Sequence, residues 1–266
     1  MRQHVILGLL LAVGLMVFPT AVFAGAWTLN GGQGDAILTA TPSEGTQVFD
    51  PYGKLQPFPR YSKDEAQGWI EYGATDWLTV ITAPSLQHVS VEAPYEGQRT
   101  GLGYTDLGGR VRLWTQDSWV LSVQSTFRMP GTFDKYSTAT IGYYDPEIDT
   151  RALLGYSFKA GQWPAFVDIE MAERLRFDGP PNEFRSDLTF GVRPLEKWLF
   201  LLQSFNVVSE GSGTWGIPSY DYYKFQVSAV YDVTPALSLQ LGAFTTYAGR
   251  NALQENGLVF GAWYKF

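Results

Sequence analysis

The chain has 266 residues, 26 acidic against 19 basic side chains for a formal net charge of −7, and no cysteine. That acidity excludes nucleic acid as a partner. The missing cysteine excludes disulfide staples and lipid modification of a cysteine, and with only two histidines it also excludes a zinc centre. Aromatic residues are 15% of the chain, a content suited to interfacial girdles.

In chain order, the first element is an export signal. Arg2 gives a positive start, Val5 to Phe18 is apolar and uncharged, and Val22-Phe23-Ala24 offers the small residues a signal peptidase reads. The run is too short to span a bilayer as a helix, so cleavage is expected after Ala24, with a cut after Ala26 as the alternative. Removing residues 1–24 takes away Arg2 and moves the charge from −7 to −8. No later apolar run could form a membrane helix, so a membrane form of this chain has to be a closed sheet.

From Gly25 the sequence repeats one phrase: an alternating segment, a very short polar break, a second alternating segment, then a longer loop. The short breaks are Ala74 to Asp76, Gln116 to Ser118, Lys159 to Gln162, Pro194 to Glu196 and Thr234 to Ala236. The longer loops are about Pro42 to Arg60, Glu92 to Gly101, Pro130 to Ile148, Asp178 to Asn182, Glu210 to Ser219 and Ala248 to Leu253. Eleven connections predict about twelve strands in a single domain, 25–266, with both termini on the tight-turn side. The predicted fold is all-β: a transmembrane antiparallel up-and-down barrel with turns and termini at the periplasm.

Several strands declare their faces by a period of two. Leu237, Leu239, Leu241 and Ala243 oppose Ser238, Gln240 and Gly242; Tyr223, Phe225, Val227 and Ala229 oppose Lys224, Gln226 and Ser228; Phe184, Leu188 and Phe190 oppose Arg185, Asp187 and Thr189. The segment Trp198 to Val208 is apolar on both parities and cannot be oriented, and Glu173 falls on the apolar parity of its strand. Tyr72, Trp77, Trp114, Trp119, Tyr156, Trp163, Trp198 and Tyr231 stand beside the tight turns, where they would form a headgroup belt.

The last strand, Gly257 to Phe266, carries Leu258, Phe260, Ala262, Tyr264 and Phe266 on one parity. It resembles the closing strand of bacterial outer-membrane barrels, and the resemblance implies recognition by the barrel-assembly machinery and contact with outer-membrane lipid. The phrase Glu71-Tyr72-Gly73-Ala74-Thr75-Asp76-Trp77-Leu78-Thr79-Val80, echoed at Tyr231-Asp232-Val233-Thr234, is similar to the hairpins of the meta-pathway phenol-degradation barrels and related small-solute channels. That resemblance implies passage or uptake of small molecules, hydrophobic or anionic, through the cell outer membrane. It brings no catalytic residue, cofactor or metal.

The polar parities define the expected lumen: Glu65, Glu71, Asp106, Asp168, Glu170 and Asp187 with Arg110, Arg112, Arg128, Arg151, Arg174, Arg176, Arg185, Arg193 and Lys224. Nine basic and six acidic residues give a lumen of +3 in a chain whose loops then carry the acid, and an anion-favouring pore follows by the charge-ring logic of channels. Asp168 and Glu170 are expected within reach of Arg185 and Arg193. Two alternatives stay open: a structural or binding barrel with a closed, ion-paired lumen, and a lipid hydrolase built on His88 near Ser85 and Ser90, for which no activating constellation is visible. Asp145, Glu147 and Asp149 alternate in an expected loop and read as solvated acids rather than calcium ligands. Gly101 and Gly103, with Gly108-Gly109, are not followed by a helix and read as close-packing positions instead of a phosphate loop.

Overall fold

A computed structural model of the chain describes residues 25–132, 137–142, 145–177, 179–214 and 216–266. The expected signal segment, 1–24, lies outside the described residues. Fifteen strands are formed: β1 (Gly34–Phe49), β2 (Leu55–Thr75), β3 (Leu78–Ala83), β4 (Ser85–Val91), β5 (Gly97–Leu102), β6 (Thr105–Gln116), β7 (Trp119–Met129), β8 (Glu147–Ala160), β9 (Trp163–Arg176), β10 (Glu183–Leu195), β11 (Trp198–Ser209), β12 (Asp221–Asp232), β13 (Leu237–Arg250), β14 (Ala252–Leu253) and β15 (Asn256–Lys265). No helix occurs among the described residues.

These strands make twelve staves of one antiparallel barrel. β3 and β4 are one stave, parted only where Pro84 lacks an N–H; both keep the same register against β2. β5 and β6 form the next stave, offset by one residue across Gly103 and Tyr104. β14 is a two-residue extension pairing with β1. Neighbouring staves follow the chain, and β1 closes the cylinder by pairing with both β2 and β15. At the seam Gly34 and Phe266 exchange two backbone bonds, of 2.7 and 2.8 Å. The carboxyl-terminal residue therefore lies at the tight-turn end. The far edge of β5 has no strand partner among the described residues; Thr132 bonds to Leu102 there.

The period-two reading places the faces correctly. Leu239, Leu241, Phe225, Val227, Phe184, Leu188, Leu258 and Phe260 are exposed on the outside, while their polar neighbours turn inward. Trp77, Trp114, Trp119, Trp163 and Trp198 are also exposed, close to the tight turns, with Trp119 stacked on Tyr156 at 4.2 Å and Trp198 against Tyr231 at 4.9 Å. Such an outer surface needs an apolar solvent.

Several segments differ from the reading of the sequence: β5 begins at Gly97 inside the expected loop Glu92 to Gly101, and β13 and β14 run into the expected loop Ala248 to Leu253. The expected loop from Pro42 to Arg60 is mostly sheet: β1 and β2 run on to a turn at Asp50 to Lys54, because their pairing survives a bulge between Gly45 and Gln47. Proline and glycine in that stretch imitate a loop, yet the alternation continues through them. The ambiguous β11 is now oriented. Leu199, Leu201 and Val207 are buried inside, and Trp198, Phe200 and Leu202 face out.

Placing a charge on the outer face tests the assignment. Leu241→Arg, at a site 58% exposed, is expected to cost about 2–4 kcal/mol at the bilayer midplane, read as a lowered urea midpoint for the barrel in vesicles. An unchanged midpoint would mean that Leu241 does not meet lipid.

Candidate functional site

The lumen has two unlike walls. The first is charged and is built by β6 to β10, whose inward residues alternate with apolar outward ones. Arg128 bonds Asp106 at 2.8 Å and Glu147 at 2.9 Å. Arg151 reaches Asp149 and Glu170, with Asp187 at 3.4 Å. Arg174 bonds Asp149 at 2.9 Å, Arg176 lies 2.9 Å from Glu147 and 3.0 Å from Glu183, and Arg185 bonds Glu183 at 3.1 Å. Tyr220 donates its hydroxyl hydrogen to Glu183 at 2.6 Å. The ion pairs repeat because alternate residues of adjacent strands stand side by side. Each of these charges, removed from water, has found an opposite one, as its burial requires.

The second wall, from β11 to β13, β15, β1 and β2, is uncharged along its middle. Ile37, Trp69, Phe166, Leu199, Leu201, Phe205, Phe244, Val259 and Trp263 meet there with Gln67, Thr189, Gln203, Gln226 and Gln240 around a cavity of about 350 Å³. The amides form a chain. Trp263 Nε1 donates to Gln240 at 2.9 Å, Gln240 to Ser228 at 3.0 Å, and Gln226 to Gln203 at 3.0 Å. Apolar rings with a few oriented hydrogen-bonding groups are the ordinary lining of a small-molecule site.

Residues 25–31 enter this lumen from the tight-turn end. Trp27 packs edge-on against Phe166 at 5.8 Å and joins the apolar cluster of Leu199, Leu201 and Trp263 to that of Val120 and Leu153. A side chain on Gly155 would come within 2.6 Å of the Trp27 ring, so only glycine admits the indole there. The backbone of the segment is held by the wall. Arg110 donates to the Trp27 carbonyl at 2.9 Å, Thr79 accepts from Leu29 N–H at 2.9 Å, and Asp76 accepts from Gly31 N–H at 2.9 Å. Arg110 is itself fixed by Glu71 at 2.8 Å and Gln124 at 2.9 Å.

At the opposite end a wider cavity of about 1140 Å³ is bounded by Phe49, Asp50, Phe58, Tyr61, Lys63, Tyr95, Thr138, Tyr222 and Glu255. Ala139 and Ile141 pack inward there on Val89 and Val91. The Lys54 backbone N–H, with that of Tyr52, holds the Asp50 carboxyl below the usual carboxylate range. Lys224 pairs with Glu255, which Lys63 also approaches at 3.5 Å.

The structure gives the residues named from sequence their partners, and three expectations about them change. First, the surplus of +3 disappears. Glu147, Asp149, Glu183, Asp232 and Glu255 also carry charge into the lumen, against Lys63 as an added cation. Glu147 and Asp149 are not solvated loop acids. Pro146 ends the loop, β8 begins at once, and both carboxylates are buried against arginines. Second, the pairings of Asp168 and Glu170 with Arg185 and Arg193 do not form. The register sets Glu170 opposite Asp187, leaving Arg151 as its partner, and Arg193 reaches across β11 to Asp232 at 2.7 Å. Third, the lumen is not polar throughout. Apolar inner residues of β11 and Trp263 of β15 were missed because the inward face was equated with the polar parity; the two-faced apolar run of β11 was the available signal.

Glu65 bonds Gln87 at 2.9 Å, and Arg112 shares the inward parity of Arg110 nearer the tight turn. His88 faces outward, 2.7 Å from Thr100 and 3.3 Å from Gln98, while Ser85 donates to the Tyr104 carbonyl, so no serine is paired with a base there. Glu173 faces out near the loop end. No group of acidic and histidine side chains suited to a metal is present among the described residues.

Comparison with known proteins adds to this geometry. A family model described as "Putative MetA-pathway of phenol degradation" matches residues 58–261. An outer membrane channel from Pseudomonas putida F1 has a similar structure, with a TM-score of 0.75 and 14% identity, covering 92% of this chain and 100% of that one. The translocator domain of the autotransporter NalP from Neisseria meningitidis is more distantly similar, with a TM-score of 0.53 and 9% identity, covering 89% of this chain and 90% of that one. No curated protein sequence matches.

Removing one member of the Arg110 and Glu71 pair, whose side chains are 2% and 4% exposed, strands the other. Arg110→Gln is expected to cost about 3–5 kcal/mol, and Glu71→Gln added to it to recover most of that in urea unfolding. Strict additivity of the two losses would deny the coupling.

Proposed function

The chain belongs to the MetA-pathway phenol-degradation family, and from that membership and the two-walled lumen we propose that it is an outer-membrane channel for small, neutral, mostly apolar solutes. The uncharged chamber carries this reading. A cavity of about 150 Å³ suffices for benzene, so a chamber of about 350 Å³ accommodates a single aromatic ring with a polar substituent. Its amides would meet a hydroxyl, and its rings would meet the remainder. A fully charged solute would lose its hydration there without a counter-charge.

The charged wall supports a neutral cargo as well. Its arginines are paired with carboxylates, so they offer an anion little net field. The fold supports localisation in the outer membrane, with turns and both termini toward the periplasm and Gly257 to Phe266 as the strand offered to the assembly machinery. The similarity to a Pseudomonas putida outer membrane channel is of the same kind. The second reading, a structural or binding barrel closed by its own ion pairs, is favoured by the segment 25–31 lying across the lumen.

Uptake decides between them. Intact cells producing the barrel as their only added route should take up a labelled neutral monoaromatic compound at submicromolar concentration several-fold faster than cells without it, and Leu201→Arg should return uptake to the background rate. Equal uptake with and without the barrel would leave the closed-barrel reading in place.

A further inference from the structure

Asp168 stands apart from the rest of the charged wall. It is 2% exposed, and among the described residues no arginine or lysine forms an ion pair with it. Glu170, the next inward residue of β9, is taken by Arg151, and Arg110 on β6 is committed to Glu71 of β2 and to Gln124. What meets Asp168 is the Glu170 carboxyl on its own strand, which brings no positive charge, and the start of the described chain. Its Oδ1 accepts the Ala26 N–H at 2.8 Å. Gly25 has a φ of +138°, which favours glycine, and a side chain there would stand 2.7 Å from the Asp168 Cγ, so glycine lets the chain lie against the carboxylate as it does. The nitrogen of Gly25, one bond of about 1.46 Å further, is then within about 6 Å of that carboxylate.

While residue 24 is attached, this nitrogen is a neutral amide. Cleavage after Ala24 would turn it into an ammonium, and a buried carboxylate lacking a cation would gain one at the distance where opposite charges favour each other's ionised forms. We infer that Asp168 is a binding site for the α-ammonium group that signal-peptide removal creates at Gly25, so that export processing itself fastens residues 25–31 across the lumen. The inference rests on the cleavage position and is independent of what the barrel transports. The charged groups around Asp168 are Glu170 of β9 and Arg110 of β6; Arg110 is bound to Glu71 of β2, and Glu170 to Arg151 of β8.

The experiment reads the amine directly. Barrel purified from outer membranes is weighed intact to establish the first residue, then treated near pH 7 with an acylating reagent that prefers an α-amine, whose pKa is ordinarily about 7.7–8.0. The folded protein should begin at Gly25 and react at its amino terminus at least about tenfold more slowly than Asp168→Asn, with the protected amine titrating above its ordinary range. Should Asp168→Asn fail to fold, a refolded chain with one serine ahead of Gly25 serves the same purpose: it keeps Asp168 but displaces the ammonium, and it should lose the protection. A mature chain starting elsewhere would overturn the inference. So would protection that survives Asp168→Asn or the added serine, which would be burial and nothing more.

Discussion

A peptide group in hydrocarbon has no water to bond, and leaving it unpaired costs several kcal/mol. Every other property of this molecule follows from satisfying that requirement with strands. The ladder must close, and it closes where β1 meets β15 and Gly34 exchanges bonds with Phe266. Closure divides each strand into a face for lipid and a face for the interior, and the alternation of Leu239, Leu241 and Ala243 with Ser238 and Gln240 records that division in the sequence. The barrel shape, the strand number and the outward residues were legible for this reason: a constraint acting on every second residue leaves a period that one sequence displays.

The interior obeys a weaker rule. Lipid tolerates only apolar side chains over its mid-depth, but an enclosed lumen tolerates anything that finds a partner. Charged residues satisfy it by pairing, as Arg151 does with Asp149 and Glu170. Apolar residues satisfy it by packing on one another, as Leu199, Leu201 and Trp263 do around Trp27. Period two cannot distinguish an apolar residue facing lipid from one facing an inner cluster. That is why β11 gave no orientation and why the uncharged chamber was invisible.

Pairing is the second thing the sequence hid. Which arginine meets which carboxylate depends on register, and register depends on turns and bulges. The one-residue offset across Gly103 and Tyr104 and the bulge between Arg112 and Trp114 move neighbours without changing any alternation. Glu147 shows the same limit at a boundary. A run containing Pro130, Gly131, Asp145 and Pro146 has the composition of a loop up to its last residue, and only pairing with Arg128 and Arg176 shows that the strand has begun. Net charge read from a list of inward residues was therefore wrong by the carboxylates left off it, of which Glu147 and Asp149 read as loop acids.

A lumen divided this way also accounts for the filling of its tight-turn end. The charged wall presents fixed donors and acceptors, whereas the apolar wall presents rings that would otherwise meet water. Residues 25–31 have something for each: a backbone whose carbonyl and N–H groups bond to Arg110, Thr79, Asp76 and Asp168, and an indole that covers Phe166 and Leu153. A polypeptide segment is well suited to this task because its main chain is polar and its side chains need not be. Arg110 is the hinge of the arrangement, since the same guanidinium holds the barrel wall through Glu71 and Gln124 and the entering segment through the Trp27 carbonyl. Any rearrangement that opens the tight-turn end has to break that carbonyl bond while leaving the wall bonds intact. The geometry permits this, because the Trp27 carbonyl bonds to Nη1 of Arg110 while its shorter contacts to Glu71 and Gln124 are made through Nη2.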